Sequence, residues 1–274
     1  MTKTFRNNIF LWLAIIVVLI WSLFPIFITI FTSLKMRDIA FKIPPLWIFR
    51  PVFSNYKSVF TQTEFGKYFV NSIIVTSSTT IISITLGCIA AYSFARFKFF
   101  GKNFLLLAFL CTRMFPPIIL AIPMFLLGRY LNLVDTRTLL ICAHTALNLP
   151  FVIWMMHEFF RMIPKELDEA AMVDGCTRVQ GFFRVILPLT GPGLVATAIF
   201  CVLLSWNDFI FSLMLTGSRA KTLSVAITMF TTIEGVEWGN ICAAASITMI
   251  PVLAFSIVTR NYLVRGMTLG AVKN

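Results

Sequence analysis

Glu169, Ala170, Ala171, Asp174 and Gly175 stand together in a polar stretch between two long apolar runs, and Leu187-Pro188 follows twelve residues after the glycine. Their types point to docking rather than to bond-making. Pro164 suits the first turn of a helix, where its missing N–H costs nothing. Glu166, Asp168 and Glu169 then set negative charge near the positive end of that helix's dipole. Leu167, Ala170, Ala171 and Asp174 recur at helical spacing, so one face carries a large apolar side chain and two very small ones. Small side chains let another backbone come close. Asp174-Gly175 stops the helix, because glycine readily takes the left-handed conformation that ends one. A second helical stretch from about Thr177 runs into Leu187-Pro188. The expected product is helix, sharp turn, helix: an L-shaped surface element suited to being gripped.

Other reactive side chains are too scattered for catalysis. His144 and His157 lie thirteen positions apart without neighbouring acidic or thiol ligands. Cys88, Cys111, Cys142, Cys176, Cys201 and Cys242 show no C-x-x-C spacing, so they read as small hydrophobes. Neither an H-E-x-x-H pair nor a G-x-x-x-x-G-K-[ST] phosphate loop occurs, so ATP is not hydrolysed here by that route. Neither catalytic residues nor metal ligands are expected.

The elements that position the docking segment follow from composition. The chain has 274 residues, 58% hydrophobic and 12% charged, with a mean hydropathy of +0.88. Such values mark an integral membrane protein. Crossing a hydrocarbon core takes roughly 20 apolar residues as a helix, and six runs are long enough. They are residues 9–34, 69–95, 104–128, 138–158, 187–213 and 239–259, with the docking loop at 161–188 between the fourth and fifth. The fold expected is an all-α membrane protein of six transmembrane helices forming one domain over residues 1–274. The first run is too long for a signal peptide and lacks a small-x-small cleavage site, so it reads as a retained anchor.

Arg96, Lys98 and Lys102 after the second run, and Arg161, Lys165, Arg178 and Arg184 in the docking loop, place both connections and both termini in the cytoplasm. Lys35, Arg37, Lys42, Arg50, Lys57 and Lys67 load the opposite side as well. The net charge of +12 sits mainly at membrane edges. It therefore implies contact with lipid headgroups, not nucleic acid.

The docking segment resembles the EAA loop of ABC-importer permeases, whose pattern is E-A-A, three residues, G, nine residues, then I-x-L-P. Here Glu169-Ala170-Ala171, Gly175 and Val185-Ile186-Leu187-Pro188 match it, with valine for isoleucine at 185. The likeness extends towards the MalG-like permeases of carbohydrate importers through Asn148-Leu149-Pro150-Phe151, Ile163-Pro164-Lys165-Glu166-Leu167, Trp206-Asn207-Asp208-Phe209 and the segment from Gly266 to Val272. The resemblance implies a prokaryotic inner-membrane subunit that pairs with a second homologous permease and two cytoplasmic ATPases. An extracytoplasmic substrate-binding protein would deliver a carbohydrate. This chain would bind no cofactor, ATP and Mg residing on the ATPase. Glu169 would make polar contact with the ATPase, Ala170 and Ala171 would permit close approach, and Asp174-Gly175 with Leu187-Pro188 would set the loop. The tail from Gly266 would reach the ATPase as well.

Candidate residues for the transport path are Arg113, His144, Asn148, Trp206, Asn207 and Asp208. Arg113 falls near the middle of the third run, where a charge faces a cavity or a partner, or caps carbonyls freed by Pro116, Pro117 and Pro123. His144 and Asn148 share a helix face, which serves cargo or interhelical hydrogen bonds. Trp206 reads as an interfacial anchor or a gate. From sequence, a secondary transporter and a membrane enzyme remain as alternatives. The spans are nearly free of the acidic relays common in the first, and no nucleophile and base support the second.

Overall fold

The computed structural model describes residues 2–232 and 235–271; the side chains of residues 2–10, 258 and 260–271 lie outside that description, as do residues 272–274 of the expected tail. Helices dominate: α1 (Thr2–Ser33), α2 (Ser54–Gln62), α3 (Phe65–Arg96), α4 (Lys102–Thr112), α5 (Pro117–Tyr130), α6 (Arg137–Met162), α7 (Glu166–Val173), α8 (Arg178–Gly181), α9 (Leu187–Leu189), α10 (Gly191–Trp206), α11 (Ile210–Leu215), α12 (Leu223–Ala226) and α13 (Trp238–Ala271). One two-residue antiparallel pair joins β1 (Thr231–Thr232) to β2 (Gly235–Val236).

Among the described residues, four helical segments are long and apolar enough to cross a membrane: Leu11–Ser33, Phe65–Arg96, Arg137–Met162 and Trp238–Ile257. Two further pairs qualify if each bent pair counts as one span. The expected continuous helix 104–128 is in fact α4 and α5, bent by 96°. Pro116 and Pro117 cause the break, because neither can donate a backbone N–H to a continuing helix. The expected helix 187–213 is likewise broken. The segment Arg178–Leu189 meets α10 at 79°, and Asn207 to Phe209 interrupt the chain before α11.

The chain divides into two compact units, residues 1–66 with 227–251 and residues 67–226 with 252–274. In the first unit Asn55 donates from Nδ2 to the carbonyls of Ser33 and Lys35 at 2.8 and 2.7 Å, fastening α2 to the end of α1. Arg37 pairs with Glu237 at 3.3 Å, and Phe41 stacks on Trp238 at 4.4 Å. Lys35, read as a loop cation, is buried with its ammonium over Phe31 and Phe49.

The second unit is built around α6. Thr136 caps its start by accepting from the Leu139 N–H at 3.2 Å. Two apolar clusters form along it. One joins Cys88, Ala91 and Ala95 of α3 to Val152, Met156 and Phe160 of α6, with Phe182 and Ile186. The other joins Val75, Ala121, Leu139, Leu140 and Ala143 to Phe211 and Leu215 of α11. Close approach depends on absent side chains: a Cβ at Gly87 would overlap Val152, and one at Gly193 would overlap the Phe159 ring. Small residues at such crossings are the usual means of bringing membrane helices together.

Candidate functional site

Helix α7 begins at Glu166, two residues beyond Pro164, so the proline precedes the helix rather than opening it. Within α7 the two alanines face different ways. Ala170 is exposed beside Glu169, whereas Ala171 is buried against Gly181. Of the motif residues, Glu169, Ala170, Asp174 and Gly175 are exposed, and Ala171 is small for the loop's own packing.

Gly175 ends the helix at φ +85°. The N–H of Cys176 donates to the Ala171 carbonyl at 3.0 Å and that of Gly175 to Met172 at 3.1 Å. These two bonds are the Schellman pattern, which requires a left-handed residue at the glycine's position. Thr177 then starts α8 with a capping box, its hydroxyl accepting from the Gln180 N–H at 3.3 Å and its own N–H donating to Gln180 Oε1 at 2.9 Å. Phe182–Ile186 continues as a π-helix into the short turn at Leu187-Pro188.

Behind the exposed face, Asp168 points inward. Arg96 Nε lies 2.7 Å from Asp168 Oδ2, with only 8% and 16% of the two side chains exposed. The Tyr92 hydroxyl donates to Asp168 Oδ1 at 2.6 Å. Arg96, one of the charges that mark the end of the second run, is thus a buried ion-pair partner. Lys165, Glu169 and Arg178 complete the rim of a pocket of about 160 Å³ at this junction.

A second site lies where α4 bends into α5. His144 Nδ1 is 2.8 Å from Ser205 Oγ, and its Nε2 is 3.1 Å from Asp208 Oδ2. A carboxylate only accepts, so Nε2–H donates to Asp208, and in the neutral imidazole Nδ1 accepts from the serine hydroxyl. The Ser212 N–H also donates to Asp208 Oδ2, at 3.1 Å. Arg113 donates to the Leu147 carbonyl at 3.1 Å and stacks over Phe151 at 5.6 Å, so its partners are on α6 and not the proline-freed carbonyls of its own span. His144, Ser205, Asp208, Arg113 and Asn148 border a cavity of about 240 Å³. Asn148 is 2% exposed, and its Nδ2 lacks a hydrogen-bond partner.

Asp208, His144 and Ser205 follow the order of an acyl-transfer triad, but the surrounding chemistry is wrong for one. The backbone N–H groups beside the hydroxyl are spent, with that of Asn207 on Leu203 and that of Asp208 on Ser205. Among the described residues no backbone oxyanion donor remains at this helix end. Two of the expected path residues do not line the cavity. Trp206 is 7% exposed and packs edge-on against Phe69 at 6.3 Å, so it is not an interfacial anchor. Asn207 is exposed and its side chain donates to the Leu203 carbonyl at 2.9 Å, ending α10.

A family profile described as binding-protein-dependent transport system inner membrane component matches residues 83–268. The chain belongs to this family. Its members are transport components of the inner membrane, so this permease is not an enzyme. It is 41% identical over 224 residues to the trehalose transport system permease protein SugB of Mycobacterium tuberculosis, covering 81% of this chain and 82% of the other. To the trehalose/maltose transport system permease protein MalG of Thermococcus litoralis it is 33% identical, covering 100% and 99% of the two chains. A solved bacterial ABC transporter involved in alginate import shares the fold, with a TM-score of 0.77 at 21% identity over 96% of this chain and 98% of that one.

Sequence reasoning missed the permease's long-range anchors. Asp135 accepts from the N–H groups of Gly217, Ser218, Arg219 and Ala220 at 2.8–3.2 Å. Burial works against its charge, but the four donors outweigh it and hold the carboxyl below its ordinary value. Asn71 binds the same loop from α3, donating to the carbonyls of Arg219 and Lys221 at 3.0 and 2.8 Å while accepting from Arg137 at 2.7 Å. The left-handed backbone of Asp135 (φ +61°) leaves a mark in sequence only as Val134-Asp135-Thr136, a common turn-and-cap composition.

Proposed function

We propose that this permease is one membrane subunit of an ATP-driven carbohydrate importer with six spans. In this reading α4 with α5, and α8 to α10, each count as one bent span. Both termini and α7 face the cytoplasm. A second permease completes the pathway, two ATPase subunits carry ATP and Mg, and an extracytoplasmic binding protein delivers the sugar. The observation that supports this most is the exposed Glu169-Ala170 face on a helix ended by a left-handed glycine, in the loop directly after α6. The match to trehalose and maltose permeases over most of the chain supports the substrate class.

The cavity at the α4–α5 bend suits a neutral polyhydroxylated cargo. It offers a carboxylate, a guanidinium and a free amide, which together accept from and donate to hydroxyls without a net preference for either sign of charge. Access alternates as rigid bodies rock, with nucleotide on the ATPase shifting the population between two packings.

Uptake by proteoliposomes containing the assembled complex tests the reading, with trehalose and maltose as probes. Uptake that requires ATP and survives collapse of ion gradients is expected. The buried His144–Asp208 pair has the composition of a proton relay, so uptake driven by a pH gradient without ATP overturns the importer in favour of a secondary transporter.

A further inference from the structure

We propose that Arg96 and Tyr92 are positioning residues that deliver movement of α7 into α3, making the second span an output of the docking loop; this rests on α7 being the ATPase-facing helix. α7 has eight residues, of which only Ala171 is buried. Among the described residues Asp168 ties it to α3, held by Arg96 at 2.7 Å and by the Tyr92 hydroxyl at 2.6 Å. Tyr92 is itself wedged by aromatic rings, 4.7 Å from Phe182 and 5.7 Å from Phe160.

Covalent routes lead from α7 back through residues 163–165 to α6 and onward towards α10, and a further route leaves through Asp168. The covalent route towards α10 passes a left-handed turn, a π-helix and a 79° bend. Each is a point at which displacement is absorbed. The route through Asp168 enters the last turn of α3, an unbroken helix of 32 residues. At its other end α3 grips the loop after α11, through Asn71 on the carbonyls of Arg219 and Lys221 and through Ser72 Oγ, which accepts from the Leu223 N–H at 2.9 Å. From Asn71 to Arg96 the helix spans about 38 Å at 1.5 Å per residue. α3 is thus a rod with the docking helix clamped to one end and a loop on the far side of the span clamped to the other.

The test places site-specific spin labels at Val173 on α7 and Lys98 just beyond α3, both exposed, in the assembled importer. Their separation is measured without nucleotide and with ATP trapped by vanadate. In the unaltered clamp the distance stays the same in both states, since α7 and the end of α3 move together. With Arg96→Met the distribution broadens and shifts between states by about 2 Å or more, the scale of helix displacements at switching interfaces. Arg96→Lys, which keeps a cation beside Asp168, restores constancy.

Tyr92→Phe removes only the 2.6 Å hydroxyl bond and gives a smaller shift of the same kind, which serves if the methionine chain does not assemble. A nucleotide-dependent distance with the clamp intact overturns the proposal, as does a constant one in the variants that assemble. Failure of the ATPase reading shows separately, as a complex purified without an ATPase.

Discussion

His144 and Asp208, sixty-four positions apart, meet at 3.1 Å between Nε2 and Oδ2, and the same cavity carries the free amide of Asn148. Asn148→Leu removes a buried donor that has no protein partner, so folding and assembly are expected to be normal. Uptake is expected to fall roughly tenfold, the worth of one hydrogen bond to cargo. Unchanged uptake by the assembled variant removes Asn148 from the pathway. Asp208→Ala strands the His144 ring and the Ser212 N–H, each at a cost of about 1–3 kcal/mol. It is therefore expected to lower the melting temperature as well as uptake.

Two glycines of one helix are expected to behave oppositely. A Cβ at Gly193 would overlap the Phe159 ring, whereas one at Gly191 meets nothing within 4 Å. Gly193→Ala is expected to destabilise by about 1–3 kcal/mol through overpacking. Gly191→Ala is expected to stay within about 0.5 kcal/mol of the parent. Melting curves of the detergent-solubilised complex decide it; equal losses contradict the packing of α10 against α6.

Asp135 gives the permease a pH dependence of known sign. Its carboxyl ionises below the ordinary value of 3.8 because four backbone N–H groups hold the charged form against the cost of burial. The stabilisation is thus fully present above the ordinary value and is lost as pH falls through the depressed one. Asp135→Asn is expected to melt lower than the parent at neutral pH, with the gap closing as the medium is acidified below about pH 4. A gap independent of pH would show that the carboxylate's charge does not hold the loop.

What the sequence disclosed was local. The helix, turn and helix of residues 166–181 were legible because acidic first turn, paired alanines and glycine each act on neighbours within a helical turn or two. Apolar runs disclosed the spans by length alone, but that measure passed over Pro116-Pro117 and merged two helices bent by 96°. Arg96 and Asp168 were in view individually as a flank and a dipole charge. Their pairing joins positions 72 apart, and no local pattern records it. Trp206 was misplaced for a related reason: distance along a helix measures depth, and says nothing about which side faces Phe69.

In the proposed importer, α7 and its glycine turn couple this permease to an ATPase. The most direct measurement is copurification from detergent, with the normal chain, Gly175→Val and Gly175→Asn compared by quantitative mass spectrometry. At φ +85° with nothing within 4 Å of an added Cβ, valine strains the backbone by about 1–2 kcal/mol without a clash, while asparagine tolerates that conformation. The normal chain and Gly175→Asn are expected to recover an ATPase and a second permease. Gly175→Val is expected to keep the second permease and lose the ATPase. Recovery of the normal chain alone, or of equal ATPase with all three, would contradict the coupling role of this turn.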